Sequence, residues 1–77
     1  MADTTQTLDC SGLACPMPIV KTRQAMDGLS TGDLLEVIST DRGSCTDIPA
    51  WTQSTGHTLE EQREEAGGRY VFLIQKG

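Results

Sequence analysis

Seventy-seven residues with a net charge of −5 make one small domain over residues 1–77, and the acidic balance argues against independent binding of nucleic acid, which needs basic patches. No apolar run is long enough to span a bilayer, and the opening Met-Ala-Asp-Thr-Thr-Gln lacks the basic and apolar regions of a signal peptide, so a cytoplasmic location is expected. Three cysteines is an odd number and a poor basis for a disulfide framework, so in a reducing compartment a cysteine in a polar turn reads as reactive before it reads as structural.

Residues 1–4 are polar and expected to fray. Thr5 to Asp9 alternates weakly and predicts a short first strand. Ser11-Gly12 then turns the chain toward a first helix, from Pro16 to about Asp27. Helical spacing gives that helix an apolar face of Ile19, Thr22, Met26 and Leu29, with Ala25 beside it, and leaves Lys21 and Arg23 in solvent. Gly28 marks its end. After a turn at Thr31-Gly32-Asp33, Leu34 to Ser39 predicts a second strand, and strand–helix–strand at this spacing implies a parallel pair joined by a crossover.

Asp41-Arg42-Gly43 breaks the chain again. Ser44 and Asp47 have the spacing of a capping-box variant that opens a second helix, with Ile48, Trp51, Thr52 and Thr55 on one face. Pro49 leaves two starts open: Ser44 with an irregular first turn, or Asp47 with the proline inside the first turn. Gly56 suits the position just past the helix. Thr58 to Glu65 has high helix propensity but a single apolar residue, Leu59, so it reads either as a helix with no face to bury or as a charged edge strand. Arg69 to Lys76 is apolar on both faces, which suits the interior of a sheet.

The chemistry concentrates in Leu8 to Val20. Pro16 fits the first helical position, where no intrahelical N–H bond is lost, and a residue before proline is pushed out of helical geometry, so Cys15 is expected as the N-cap. Pro18 also falls in the first turn, leaving the N–H groups of Met17 and Ile19 pointing toward the region of the Cys15 sulfur. A thiol at a helix N-terminus sits in positive partial potential, which favours the thiolate. Cys15 is therefore the candidate reactive residue, with Pro16, Met17, Pro18 and Ile19 supporting it. Lys21 and Arg23 are candidates for added positive potential or for partner contact.

The remaining polar residues have blander readings. Cys10 is expected to face the core, with a resolving thiol for Cys15 as the other option. Cys45, at the second helix N-terminus, is expected to have a lowered pKa yet to be a bystander. A zinc site from Cys10, Cys15, Cys45 and His57 does not match the tight pairing of structural zinc ligands, and no metal is expected. His57 reads as a solvated or capping residue and Trp51 as core. The acidic run from Glu60 to Glu65 is a solvated face, or a surface that steers a basic partner.

Leu8-Asp9-x-x-Gly12-Leu13-x-Cys15-Pro16-x-Pro18 closely resembles the signature of the TusA/SirA-like sulfur carrier proteins. Gly32-Asp33-Leu34-Leu35-Glu36-Val37, Asp41, Asp47-Ile48-Pro49-Ala50-Trp51 and Gly56-His57 resemble later blocks of that family, so the likeness runs from about Leu8 to Lys76. Arg42 departs from it, standing where the family often has proline. The resemblance implies an α+β fold, a two-layer sandwich in which two helices cover one face of a four-stranded mixed sheet. It places Thr58 to Glu65 as a strand, Gly67-Gly68 as a hairpin turn, and the strands in the order 1-2-4-3.

The resemblance also implies a function. Cys15 aligns with the sulfur-carrying cysteine and would hold a persulfide, with no metal or nucleotide cofactor. The implied partners are a donor of the cysteine desulfurase or rhodanese type and an acceptor of the TusD/DsrE type, in tRNA thiolation or dissimilatory sulfur oxidation. Whether the chain acts as a sulfurtransferase enzyme or only as a carrier stays open. Two rival readings come from other classes. A non-catalytic regulatory or partner-binding module predicts that function survives loss of the Cys15 thiol, and a small metal-binding domain predicts metal after native purification.

Overall fold

A computed structural model describes residues 5–14 and 16–77, so the expectations placed on residues 1–4 and on Cys15 itself lie outside the described residues. The elements in chain order are β1 (Thr5–Cys10), α1 (Met17–Asp27), β2 (Leu34–Ser39), α2 (Ser44–Thr55), β3 (Thr58–Glu65) and β4 (Arg69–Gln75). The four strands form one sheet in the order β1-β2-β4-β3. β1 runs parallel to β2, while β4 is antiparallel to both β2 and β3. This is the α+β arrangement of two helices on a four-stranded mixed sheet.

Period-two alternation along the strands sorts the sheet into two faces. Leu35 and Val37 of β2 stand opposite Ile74 and Phe72 of β4, and all four are buried. Met26 and Leu29 from the α1 side, Ile48 of α2 and Cys10 of β1 complete that core. Both helices therefore lie against this face. The other face carries half-buried Leu34 and Ile38, with an ion cluster in which Arg63 contacts Glu36, Glu61 and Glu65. Such exposed pairs hold little net stability. They do blunt the β3 edge, as does the irregularity between Leu59 and Glu61.

The segment Thr58–Glu65 settles as a strand because the helix reading had nothing to bury; only Leu59 reaches the core. Three local expectations need correction. On α1 the fully buried stripe is Pro18, Thr22 and Met26 at a spacing of four, and the expected Ile19 packs against the core beside it while only half-buried. α2 starts at Ser44 with Gly43 as its N-cap, and Pro49 lies inside the helix. Ser44 is not the cap of a capping box. Its hydroxyl is buried and lies 2.9 Å from that of Ser39 at the end of β2, which also accepts the N–H of Asp41. Thr55, expected on the face of Ile48 and Thr52, is exposed, and its hydroxyl turns back to the Trp51 carbonyl instead. Gly56 ends α2 at φ +82, a left-handed conformation costly for a residue with a Cβ.

Candidate functional site

β1 and β2 are parallel neighbours, and their carboxyl ends leave the sheet side by side, Cys10 opposite Ser39. The candidate loop, residues 11–16, leaves from the first of these ends and feeds α1. Its opening is a tight turn: the Leu13 N–H donates to the Cys10 carbonyl at 3.1 Å, and Gly12 takes φ +82. Asp9 accepts the Ser11 N–H at 2.9 Å. Hydrogen bonds from the Ser11 side chain and backbone hold the Asp9 carboxyl below its usual range. The Gly12 N–H reaches across to Oγ1 of Thr40, just past β2, at 2.8 Å. Leu13 rests on the core, half-buried.

α1 begins one residue later than expected. Its N-cap is Pro16, and the Pro16 carbonyl accepts the Val20 N–H at 3.1 Å. The expectation that the Met17 N–H is left for a sulfur is corrected too, since it donates to the Ala14 carbonyl at 2.9 Å. The physical reason is that the helix itself leaves this first donor over, and the Ala14 carbonyl lies in reach to take it. Met17 itself is 39% exposed, beside the candidate cysteine in sequence, while Pro18 is buried. Lys21 and Arg23 are exposed on α1, and the first turn of α1 carries no acidic residue that would offset the positive end of the helix dipole.

The other two cysteines are placed firmly. Cys10 is fully buried in the core, and burial first, with Asp9 second, pushes its thiol up. Cys45 is half-buried in the first turn of α2, where a lowered pKa is expected from the helix dipole; the structure reverses this. Partial burial raises it, and Glu64 of β3 raises it further, against the opposing pull of Arg42. Cys45, Gln62, Arg63, Glu64 and Tyr70 line a shallow depression of about 260 Å³ at this end of the sheet. His57 precedes Thr58, which pairs with Gln75, which in turn pairs beside Leu34, so it sits at the opposite end from Cys10 and Cys45. The structure does not bring these side chains together as metal ligands.

The comparison with known proteins follows the same lines as the geometry. The family profile described as "Sulfurtransferase TusA" matches residues 6–76. The chain belongs to the TusA family. Among relatives, this TusA-family chain is 53% identical over 72 residues to the "Putative sulfur carrier protein YrkI" of Bacillus subtilis, covering 94% of this chain and 95% of that protein. It is 47% identical over 76 residues to the "Sulfur carrier protein TusA" of Allochromatium vinosum, covering 99% of each. Its fold is similar to the crystal structure of a SirA-like protein from Desulfitobacterium hafniense, with a TM-score of 0.83, 23% identity, and coverage of 94% of this chain and 97% of that one. The Thr40 anchor of the loop was not foreseen in the sequence, because a bond between positions so far apart leaves no local spacing to find.

Proposed function

We propose that this TusA-family chain is a cytoplasmic sulfur carrier that holds sulfur as a persulfide on Cys15. The observation that carries the reading is the placement of Cys15-Pro16 in sequence directly before the α1 N-terminus, whose first turn holds no fixed negative charge. Relatives named as sulfur carriers over almost their whole length support it. Cys15 attacks as the thiolate on the outer sulfur of a donor persulfide. A new S–S bond forms to Cys15, the donor's S–S bond breaks, and the donor cysteine leaves as thiolate, so no external oxidant or reductant is consumed. An acceptor cysteine takes the outer sulfur by the same displacement. The chemistry suits a donor of the cysteine desulfurase or rhodanese type and an acceptor of the TusD/DsrE type, serving tRNA thiolation or dissimilatory sulfur oxidation. Pro16 and Pro18 stiffen the presenting turn, and exposed Met17, Lys21 and Arg23 are the surface that a partner meets.

The test is loading by a desulfurase with cysteine, or by a rhodanese with thiosulfate. The protein is expected to gain the mass of one sulfur atom, removable by a reductant and mapped to the Cys15 peptide. Cys15→Ser, nearly isosteric, is expected to stay folded and unloaded, while Cys10→Ser and Cys45→Ser still load. Loading of the Cys15→Ser protein at the wild-type level sinks the proposal.

A further inference from the structure

Among the described residues, two contacts tie the loop after β1 to distant parts of the fold: the half-buried Leu13 side chain rests on the core, and the Gly12 N–H is held by Thr40. The first contact seats the loop against the core, and the second ties its backbone to the residue that follows β2. The loop's other bonds among the described residues are local, from Ser11 to Asp9, from Leu13 to Cys10 and from Met17 to Ala14. Thr40 is itself exposed and outside the core, and it meets the loop through its bond to Gly12. At 2.8 Å the bond is short for an N–H donor on a hydroxyl oxygen.

We infer that Thr40 is a positioning residue for the Cys15 site, its hydroxyl oxygen holding the β1–α1 loop in register with the N-terminus of α1. The inference rests on the reading of Cys15 as the sulfur-bearing residue. The favourable potential at a helix end falls away within the first turn, so a swing of the loop changes how strongly a sulfur there is stabilised. Pro16 makes the downstream side stiff, and the Thr40 bond does the same upstream. Both β exits take part: the residue that follows β2 steadies the loop that follows β1.

The experiment follows alkylation of Cys15 by iodoacetamide from pH 5 to 10, tracked by peptide mass, in wild type, Thr40→Val and Thr40→Ser. Thr40→Val keeps the shape and removes the acceptor; it is expected to slow Cys15 alkylation at pH 7 roughly three- to tenfold, the factor that one net hydrogen bond converts to. The midpoint of its pH profile is expected to move up. Thr40→Ser is expected to restore both rate and midpoint, and Thr40→Val to lower the melting temperature by only the few degrees that one exposed hydrogen bond accounts for in a small domain. Amide exchange at Gly12 supplies a second readout, protected in wild type and Thr40→Ser and faster in Thr40→Val. Should the valine variant fold poorly, Thr40→Ala takes its place. A Thr40→Val profile that superimposes on wild type overturns the inference, as does a serine variant as slow as valine or an unprotected Gly12 amide in wild type. Wild type that refuses sulfur from every donor while its alkylation responds as expected removes the carrier reading and leaves the positioning role standing.

Discussion

The side-chain amide of Gln62 donates to the backbone carbonyl of Cys45 across 3.3 Å, and that carbonyl is the one Pro49 leaves without a helical partner. In an unbroken α-helix the acceptor at Cys45 takes the N–H four residues on, which here is the proline nitrogen. β3 supplies the missing donor from outside the helix. The early proline in α2 is thus tolerated because an edge strand passes close enough to answer for it. The same contact fixes the polar end of β3 against the first turn of α2, beside the depression lined by Cys45 and Tyr70.

A double-mutant cycle reads this arrangement. Gln62→Ala leaves the Cys45 carbonyl to water and is expected to cost about 1 kcal/mol or less, because the bond is exposed. Pro49→Ala restores a backbone donor at that place. In the Pro49→Ala background the same Gln62→Ala change is expected to cost close to nothing, so urea unfolding should give a coupling of about 0.5–1 kcal/mol. Equal costs in both backgrounds would mean that Gln62 is not standing in for the lost helical bond.

How far the sequence could be read follows from the range of each interaction. Strands β2 and β4 and the body of helix α1 are legible because their signals are local: alternation and helical spacing. β4 sits inside the sheet as its two apolar faces require, with Val71, Phe72 and Ile74 buried. Pro49 defeated the α2 boundary because its remedy, Gln62, lies in another element. Ser44 read as a cap because spacing cannot show that Ser39 waits across the core. Cys45 misled for a similar reason: a helix dipole is visible in sequence, whereas burial and the carboxylate of Glu64 are tertiary. At the candidate site, Cys15 stands out by its motif, and Thr40 does not.

The cysteines are expected to separate by reactivity. Cys10 is buried and pushed up, so it should label only on unfolding. Cys45 is half-buried and pushed up by burial first and Glu64 second, so it should label slowly at neutral pH and faster as the pH rises. Glu64→Gln removes one upward push and should shift the Cys45 alkylation profile to lower pH. Peptide-resolved alkylation checks this, and an unmoved Cys45 profile in Glu64→Gln would show that the carboxylate has no influence there.

Lys76 closes the far end of α1. Its ammonium donates to the Met26 carbonyl at 2.9 Å, in the last turn of α1, where the Leu29 N–H also donates, and to the Leu29 carbonyl at 2.7 Å, just past the helix. A cation there also meets the negative end of the dipole. Lys76→Met keeps most of the aliphatic stem and loses both bonds, and it is expected to cost about 1–2 kcal/mol in urea unfolding. The bonds are partly buried, so the loss should persist in high salt, unlike that of a surface ion pair. A variant as stable as wild type would show that water serves these carbonyls equally well.

His57 is expected to make the fold sensitive to mild acid. Its Nδ1 accepts the Gly77 N–H at 3.0 Å, which requires the lone pair of a neutral ring, and its ring lies 5.2 Å from that of Trp51. Burial first, and the positive charge of Lys76 second, hold its pKa below the ordinary histidine value of 6.5. The unfolded chain therefore binds the proton more readily than the folded one. The contribution to stability is fully present above the unfolded value and declines as the pH falls below it toward the folded one. Trp51 is the single tryptophan of the chain and a direct reporter, since a protonated imidazole quenches indole emission more than a neutral one. Emission from native protein is expected to fall on acidification with a midpoint below 6.5, the ordinary value, in step with the His57 ring signals by NMR. In Lys76→Met that midpoint should rise, because one repelling charge is gone, and in His57→Gln the step should vanish, together with its share of the pH dependence of melting on the acid side of 6.5. A wild-type midpoint above 6.5 would reverse the assigned direction, and a step that survives in His57→Gln would place the titrating group elsewhere.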